Sequence, residues 1–169
     1  MHSVIALVVL LLITSPSLAL DAPHAHAWKM ELMYLEMKST PTKYVWGGTS
    51  YEGADCSGII FRSCRTAGID IQRVTAKDMF EGKGGWVGKL VSRDEAQELD
   101  LVWFTWKGKE MTRPFGHVGV FYISTKDGFM GVFQASSTSG HVVVSEYKGI
   151  LRENTSGING LPLETQNNR

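Results

Sequence analysis

A cysteine and a histidine, each set in a short glycine-containing motif, constrain this chain more than any other feature. The first motif runs Tyr44-Val45-Trp46-Gly47-Gly48 and continues into Asp55-Cys56-Ser57-Gly58, which opens an apolar stretch. The second motif, Gly116-His117-Val118-Gly119-Val120, has the sequence of a strand. This pattern places Cys56 in the first turn of a helix and His117 in a strand. We interpret the pair as a cysteine nucleophile and its histidine base.

The position of Cys56 suits a reactive thiol. A cysteine reacts as its thiolate, so its chemistry requires a base or a local field that lowers the thiol pKa. The first turn of a helix supplies unpaired N–H groups and the positive end of the helix dipole, and both favour the thiolate. An isolated cysteine would be interpreted as a buried apolar residue. The neighbouring Asp55 and Ser57 and the histidine in a strand favour the catalytic interpretation.

Helical patterns come first along the chain and strand patterns follow. Helices are predicted over Ala25–Lys38 and Cys56–Ala67, with Gly68 as a left-handed cap after the second, and a further helix starts at Thr75. Strands are predicted at 100–105, 117–123, 129–134 and 141–147, with a hairpin turn at 125–128. Helices followed by an antiparallel meander predict an α+β domain. The turn-rich tail from Arg152 is expected to fray.

Composition and charge exclude one class of partner. The chain has 169 residues, 43% of them hydrophobic, which suits one globular domain with a substantial core. Its 17 basic and 17 acidic side chains balance, and it has no run of Lys or Arg. Nucleic acid is therefore not an expected partner. We expect the protein to be a monomer.

Residues 1–19 form a separate segment. Val4 to Ile13 is a continuous apolar stretch, and Ser17-Leu18-Ala19 carries the small residues of a secretory cleavage site. A retained membrane anchor is the alternative, but the apolar run before Pro16 is shorter than the roughly 20 residues that a spanning helix needs. We therefore predict a signal peptide at 1–19 and one domain at 20–169. The mature protein is expected in the periplasm or outside the cell, without stable insertion in a membrane.

The second cysteine, Cys64, is predicted to be a buried apolar residue. Cys56 and Cys64 lie eight residues apart on one predicted helix. About 12 Å of helix rise therefore separates them, which is too far for a disulfide. No metal site is predicted, because the histidines lack ligand spacing and His24 and His26 lie near the expected new N-terminus. No cofactor is predicted.

Four motifs, taken in order, resemble one family of enzymes. They are Tyr-x-Trp-Gly-Gly from Tyr44, Asp-Cys-Ser-Gly from Asp55, Asp-Leu-Val-x-Phe from Asp100 and Gly-His-Val-Gly-Val-Phe from Gly116. Together they are similar to the NlpC-type cell-wall cysteine peptidases, a branch of the papain-like enzymes, over roughly 34–147. The resemblance implies a papain-like α+β fold. In that fold, N-terminal helices pack on an antiparallel sheet and the nucleophile stands at a helix N-terminus.

The resemblance assigns a catalytic triad. It makes Cys56 the nucleophile and His117 the general base, and it places a polar third residue on the strand after the base. Gln134 occupies that place, although the segment before it is longer than expected for the family. Its side-chain oxygen is expected to accept the Nδ1–H of His117, so that Nε2 faces the thiol. His141 is the rival for this role, because it also lies near the start of a strand.

The resemblance also assigns residues that contact the substrate. Tyr44 matches a tyrosine whose hydroxyl, with the backbone N–H of Cys56, stabilises the oxyanion. Asp55 and Ser57 match positions that hold the free amine and carboxylate of a stem-peptide residue. Structural roles are open for all three: Tyr44 can cover the core, Asp55 can cap the helix, and Ser57 can be a first-turn hydroxyl. The turn at 98–100 departs from the Pro-Gly-Asp that is usual in the family.

The function implied by the resemblance is that of an exported, thiol-dependent peptidoglycan hydrolase. It would cleave stem peptides between D-glutamate and diaminopimelate. The alternatives are an N-acetylmuramoyl-L-alanine amidase, a secreted toxin that attacks a competitor's wall, and a non-catalytic wall-binding module. The last is disfavoured because both Cys56 and His117 are present. A lecithin–retinol-type acyltransferase uses the same groups with the histidine first, so the order here disfavours it.

Overall fold

The computed structural model describes residues 22–86, 96–104, 116–146 and 155–158. The predicted signal peptide at 1–19 lies outside the described residues, and so do Thr105 and Tyr147 at the ends of two predicted strands. Three helices and seven strands occupy the described part of the chain. None of the helices described there is long and apolar enough to cross a membrane.

The helices are α1 at Ala22–Met37, α2 at Cys56–Thr66 and α3 at Ala76–Phe80. All three predicted helices are confirmed, although α1 starts before the expected Ala25. Pro23 lies in its first turn, where a residue without an N–H is tolerated. The hydroxyl of Thr75 caps α3 by accepting from the N–H of Asp78 at 3.2 Å. Gly68, with φ at +83°, adopts the predicted left-handed conformation after α2.

The strands form one sheet in the order β2-β1-β6-β5-β4-β3-β7. Their bounds are β1 at Lys43–Tyr44, β2 at Gly53–Ala54, β3 at Leu101–Phe104, β4 at His117–Ile123, β5 at Met130–Ser136, β6 at His141–Glu146 and β7 at Thr155–Ile158. The run from β3 to β6 is the predicted meander, and each of its strands pairs antiparallel with the next. The α+β fold predicted from the sequence is confirmed.

Three strands are not predicted by the sequence pattern, and they extend the sheet at both ends. β1 and β2 lie within 41–55, which the pattern predicts as loop, and two residues each are too few to show alternation. The tail is predicted to fray, and this prediction is wrong for 155–158. These residues form β7, which pairs antiparallel with β3 and places Val102 opposite Ile158.

The core lies between the helices and one face of the sheet. The buried helix residues are Trp28, Leu32 and Leu35 of α1 and Ile59, Ile60 and Cys64 of α2. The sheet contributes Val118, Val120, Tyr122 and Phe133, all fully buried. Successive residues of a strand point to opposite faces, so His117 and Gly119 lie on the face opposite Val118. Cys64 is a buried core residue, as predicted, and both cysteines are free.

Glu36, near the end of α1, binds the turn between β4 and β5. Its carboxylate accepts hydrogen bonds from the hydroxyls of Ser124 at 2.7 Å, Thr125 at 2.8 Å and Tyr122 at 3.0 Å, and from the N–H of Thr125 at 3.2 Å. Burial raises the pKa of this carboxyl, but the hydrogen bonds outweigh burial and the net pKa is lowered. The ionised form of Glu36 therefore stabilises the folded protein.

We predict that Glu36→Gln lowers the free energy of unfolding by about 1–3 kcal/mol, because an amide offers one acceptor oxygen where the carboxylate offers two. The folded pKa lies below the unfolded value of 4.5, so this stabilisation is present above that pH and is lost as the pH falls further. Urea unfolding near neutral pH and in acid measures both effects. Glu52→Gln, at an exposed carboxyl, is the control. An equal loss at both pH values would contradict the role of the ionised form.

Candidate active site

Cys56 is the first residue of α2 and lies against the start of β4. Its side chain is 7% exposed, and its sulfur receives hydrogen bonds from the backbone N–H groups of Val118 and Ser57. Val118 directly follows His117, so this contact holds the thiol beside the strand that carries the candidate base. The fold thus brings together the two motifs that are separated in the sequence.

Burial dominates the acidity of Cys56. It raises the pKa of the thiol, and the Asp55 carboxylate adds to this effect. The N–H groups of Val118 and Ser57 and the charge of Arg73 act in the opposite direction, yet the net pKa is raised. The helix N-terminus favours the thiolate as expected, through the N–H of Ser57, but desolvation of a charged sulfur outweighs this effect. The thiol is neutral at rest.

His117 contacts Gln134 on the neighbouring strand. Its Nε2 lies 2.5 Å from Oε1 of Gln134, and both side chains are buried. Burial lowers the pKa of His117, and although the hydrogen bond with Gln134 raises it, the net pKa lies below the ordinary 6.5. The imidazole is therefore neutral at neutral pH.

Gln134 contacts a different ring nitrogen of His117 from the one predicted. The sequence predicts a bond from Gln134 to Nδ1, whereas the bond is to Nε2. An amide oxygen only accepts, so His117 carries its proton on Nε2 and Nδ1 is the basic nitrogen. The reason is geometric. Nδ1 is the ring nitrogen nearer the backbone, and Cys56 lies against the backbone of the next residue, Val118.

The register of β4 and β5 explains how Gln134 reaches His117. Val120 pairs with Phe133, so Gly119 stands opposite Gln134, and His117 lies on the same face two residues away. A Cβ atom at Gly119 would overlap Cγ1 of Val132 and would lie 3.0 Å from the carbonyl oxygen of Phe133 and 3.4 Å from Cβ of Gln134. The glycine in the second motif therefore allows β4 and β5 to approach closely beside the contact between His117 and Gln134.

Ser145 of β6 holds the other end of the Gln134 amide. Nε2 of Gln134 donates to the Ser145 hydroxyl at 3.0 Å. A chain of polar side chains thus crosses the adjacent strands β4, β5 and β6, from His117 to Ser145. With its nitrogen directed at Ser145, the amide presents its oxygen to His117. Ser145 is not predicted; the available signal is a hydroxyl that follows three valines in β6.

His141, the rival for the third position, makes a different contact. It begins β6, and its Nδ1 lies 2.7 Å from the carbonyl oxygen of Ser139 in the preceding turn. The bond to His117 is made by Gln134. The geometry therefore favours Gln134 over His141.

Tyr44 ends β1 and is half-buried near Cys56. Burial raises the pKa of its hydroxyl, and the proximity of Cys56 and Asp55 raises it further. The hydroxyl keeps its proton and is able to donate a hydrogen bond. The backbone N–H of Tyr44 donates to the carbonyl of Gly140 at 2.7 Å, which fixes β1 beside β6.

Asp55 caps α2, which is the structural role considered for it. Oδ1 accepts from the N–H of Gly58 at 2.6 Å, and Oδ2 accepts from the N–H of Gly47 at 2.9 Å. The same carboxylate forms an ion pair with Arg73, in which Nη2 lies 2.8 Å from each carboxylate oxygen. Arg73 also donates to the hydroxyl of Ser57 at 2.7 Å. Arg73 is not predicted, because a single arginine in a connector carries no spacing signal.

Glycine at two positions allows the first motif to close on the helix. The N–H of Asp55 donates to the carbonyl of Gly48 at 3.2 Å. A Cβ atom at Gly58 would overlap this carbonyl oxygen. The loop and the first turn of α2 therefore approach more closely than any side chain at Gly58 permits.

The site combines a buried thiol, a basic imidazole nitrogen and a phenol able to donate. These groups suit nucleophilic attack on an acyl carbon, followed by stabilisation of an oxyanion. Within 22–86, 96–104, 116–146 and 155–158, no group of three or more His, Cys, Asp or Glu residues could hold a metal ion.

The architecture and the Cys–His–Gln arrangement define the class as a papain-like domain. Residues 41–157, more than half of the chain, match the NlpC/P60 family. The chain belongs to the NlpC/P60 family. The resemblance drawn from the four motifs is confirmed, and so is the papain-like fold that it implies.

The chain matches only a part of each relative's length. The bifunctional muramidase/DL-endopeptidase CwlT of Bacillus subtilis (strain 168) is 40% identical over 81 residues, which are 46% of this chain and 22% of CwlT. A lipoprotein-like NLP/P60 protein of Staphylococcus aureus superposes with a TM-score of 0.58 at 21% identity, over 87% of this chain and 44% of that one. The peptidoglycan hydrolase RipB of Mycobacterium tuberculosis superposes with a TM-score of 0.53 at 22% identity, over 80% of this chain and 67% of RipB. The chain thus spans about a fifth of CwlT and less than half of the staphylococcal protein.

We predict that Ser145→Ala destabilises the protein by about 1–3 kcal/mol, because it leaves the buried amide nitrogen of Gln134 without its partner. In a Gln134→Leu background the same change should have a much smaller effect, since the polar group that needs the hydroxyl is gone. Denaturant unfolding of the two single variants and the double variant measures this coupling. Additive effects would show that Ser145 does not act through Gln134.

Proposed function

We propose that the protein is an exported cysteine endopeptidase that hydrolyses peptidoglycan stem peptides. The observation that carries the proposal is the buried Cys56, whose sulfur accepts from the N–H of Val118, next in the chain to a His117 whose Nε2 is bound by Gln134. Membership of the NlpC/P60 family supports the thiol chemistry and the cell-wall substrate. The bond between D-glutamate and diaminopimelate is proposed as the one cleaved, and the name of CwlT, a DL-endopeptidase, agrees with that choice.

In the first step, the sulfur of Cys56 attacks the carbonyl carbon of the scissile amide. Because the thiol and the imidazole are both neutral at rest, the proton moves from the sulfur to Nδ1 of His117 as the carbon–sulfur bond forms. Gln134 accepts the Nε2–H throughout and stabilises the orientation of the imidazolium. The neutral amide orients the ring without adding negative charge.

The tetrahedral oxyanion is held by the hydroxyl of Tyr44 and the backbone N–H of Cys56 in this proposal. Collapse breaks the carbon–nitrogen bond, and His117 gives its proton to the departing amine. Water then attacks the thioester with His117 as general base, and the thiol and a free carboxylic acid are released. The raised pKa of Tyr44 suits this role, because the hydroxyl must donate and not ionise.

Asp55 and Ser57 are proposed to contact the amine and carboxylate of the stem-peptide residue. Both side chains also bind Arg73. Recognition of an amine by Asp55 would therefore add a contact to a carboxylate that is already paired. Capping of α2 and contact with the substrate are compatible, because a carboxylate has about four acceptor positions.

The proposed cellular context is export as a monomer, with removal of 1–19. The apolar leader and the small residues before position 20 support it. Stem peptides lie outside the cytoplasmic membrane, so export would bring the site to its substrate.

Mass spectrometry of diaminopimelate-type peptidoglycan fragments tests the reaction. After incubation with the mature protein, we expect new fragments that end at D-glutamate, and no such fragments with Cys56→Ala. Free stem peptides would instead identify an N-acetylmuramoyl-L-alanine amidase. A lack of any Cys56-dependent product would contradict a wall hydrolase and favour a binding module. Incubation with walls of the producing organism and with walls of a competitor distinguishes the remodelling of its own wall from action as a toxin.

We predict that Gln134→Leu lowers kcat/KM on stem peptides by about 10- to 100-fold, less than the roughly 10⁴-fold loss for an anionic triad member, because a neutral amide only orients the ring. The acid limb of the pH profile should also move to lower pH, since the hydrogen bond that His117 donates to Gln134 raises the pKa of His117 and the variant lacks it. The variant His141→Ala is expected to retain wild-type values. The reverse ranking of the two variants would assign the third position to His141.

A further inference from the structure

Arg73 lies in the connector between α2 and α3 and reaches back to the start of α2. Nη2 of its guanidinium binds both carboxylate oxygens of Asp55 at 2.8 Å. Nη1 donates to the hydroxyl of Ser57 at 2.7 Å and to the carbonyl of Val74. The guanidinium therefore contacts the residues immediately before and after Cys56.

The environment of this ion pair differs from that of a surface pair. The Asp55 side chain is 10% exposed and the Arg73 side chain 27%. In the pair between Arg65 and Asp70, the exposed fractions are 48% and 95%. An exposed pair contributes little because water screens it, whereas burial reduces that screening. The charge of Arg73 lowers the pKa of the Cys56 thiol, although its influence is smaller than that of burial or of the Asp55 carboxylate.

We propose that Arg73 is a positioning residue for the nucleophile: its guanidinium fixes Asp55 and Ser57 on either side of Cys56 and offsets the Asp55 charge that opposes thiolate formation. The proposal rests on the proposed role of Cys56 as nucleophile and deepens it. The planar guanidinium matters, because one nitrogen binds the Asp55 carboxylate while the other binds Ser57 and Val74, whereas a lysine ammonium has a single nitrogen for all of these acceptors.

The charge balance around the thiol follows from the groups that face it. From the start of α2 these are Asp55 and the N–H of Ser57, and from the connector Arg73. β1 contributes Tyr44, whose hydroxyl is neutral, and β4 contributes His117, which is neutral at rest. With Asp55 negative and Arg73 positive, the fixed charges cancel. Without Arg73, the thiolate would form beside an uncompensated carboxylate.

The pH dependence of Cys56 alkylation by iodoacetamide tests the proposal, with the product followed by mass spectrometry of the Cys56 peptide so that Cys64 does not contribute. We expect Arg73→Gln to raise the pH midpoint of the reaction by about one unit and Asp55→Asn to lower it. The double variant should return close to the wild-type midpoint. Arg65→Gln, which removes a surface arginine, should leave the midpoint unchanged.

Each variant gives an interpretable result. Asparagine still caps a helix, so Asp55→Asn remains informative even if Arg73→Gln does not fold, as judged by circular dichroism. An unchanged midpoint in Asp55→Asn, or in a folded Arg73→Gln, would overturn the role of Arg73. A purely structural role would lower the rate at every pH without moving the midpoint. The assay uses no peptidoglycan, so its result is independent of whether the proposed substrate is correct.

Discussion

The carboxylate of Asp55 joins the first turn of α2, the loop before it and the connector after it. It caps α2 through the N–H of Gly58, binds the loop before it through the N–H of Gly47, and pairs with Arg73 ahead of α3. Since Cys56 is the next residue, the position of its sulfur relative to β4 depends on this carboxylate. A cap that elsewhere stabilises a helix by about 1 kcal/mol here also sets the geometry of the site.

On the other side of Cys56, the register of the strands sets the geometry of the site. His117, Gln134 and Ser145 lie on one face of three adjacent antiparallel strands, and each side chain reaches the next by a diagonal contact. A slip of one residue in either pairing would turn Gln134 to the opposite face. The apolar side chains Val120 and Phe133 belong to the core and oppose such a slip, because it would remove them from it.

The features that were predictable from the sequence are those with a local pattern. The helix of Cys56 and the meander that carries His117 follow from periodicity and turn signals, and Gln134 follows from the resemblance to the family. Strands of two residues have no visible period, and β7 is defined by its pairing with β3, which no local pattern records. Arg73 and Ser145 were missed for the same reason. Each acts through a contact with a residue distant in the sequence, so its neighbours along the chain give no indication of it.

Burial and reactivity oppose each other at Cys56. The packing that places its sulfur on the N–H of Val118 also removes the water that would stabilise a thiolate, and the pKa of the thiol rises. The same burial lowers the pKa of His117, so the pair is neutral before reaction. In the proposed mechanism, charge appears only as the bond to the substrate forms. The helix N–H groups and the Tyr44 hydroxyl would then stabilise the transition state, where stabilisation accelerates the reaction.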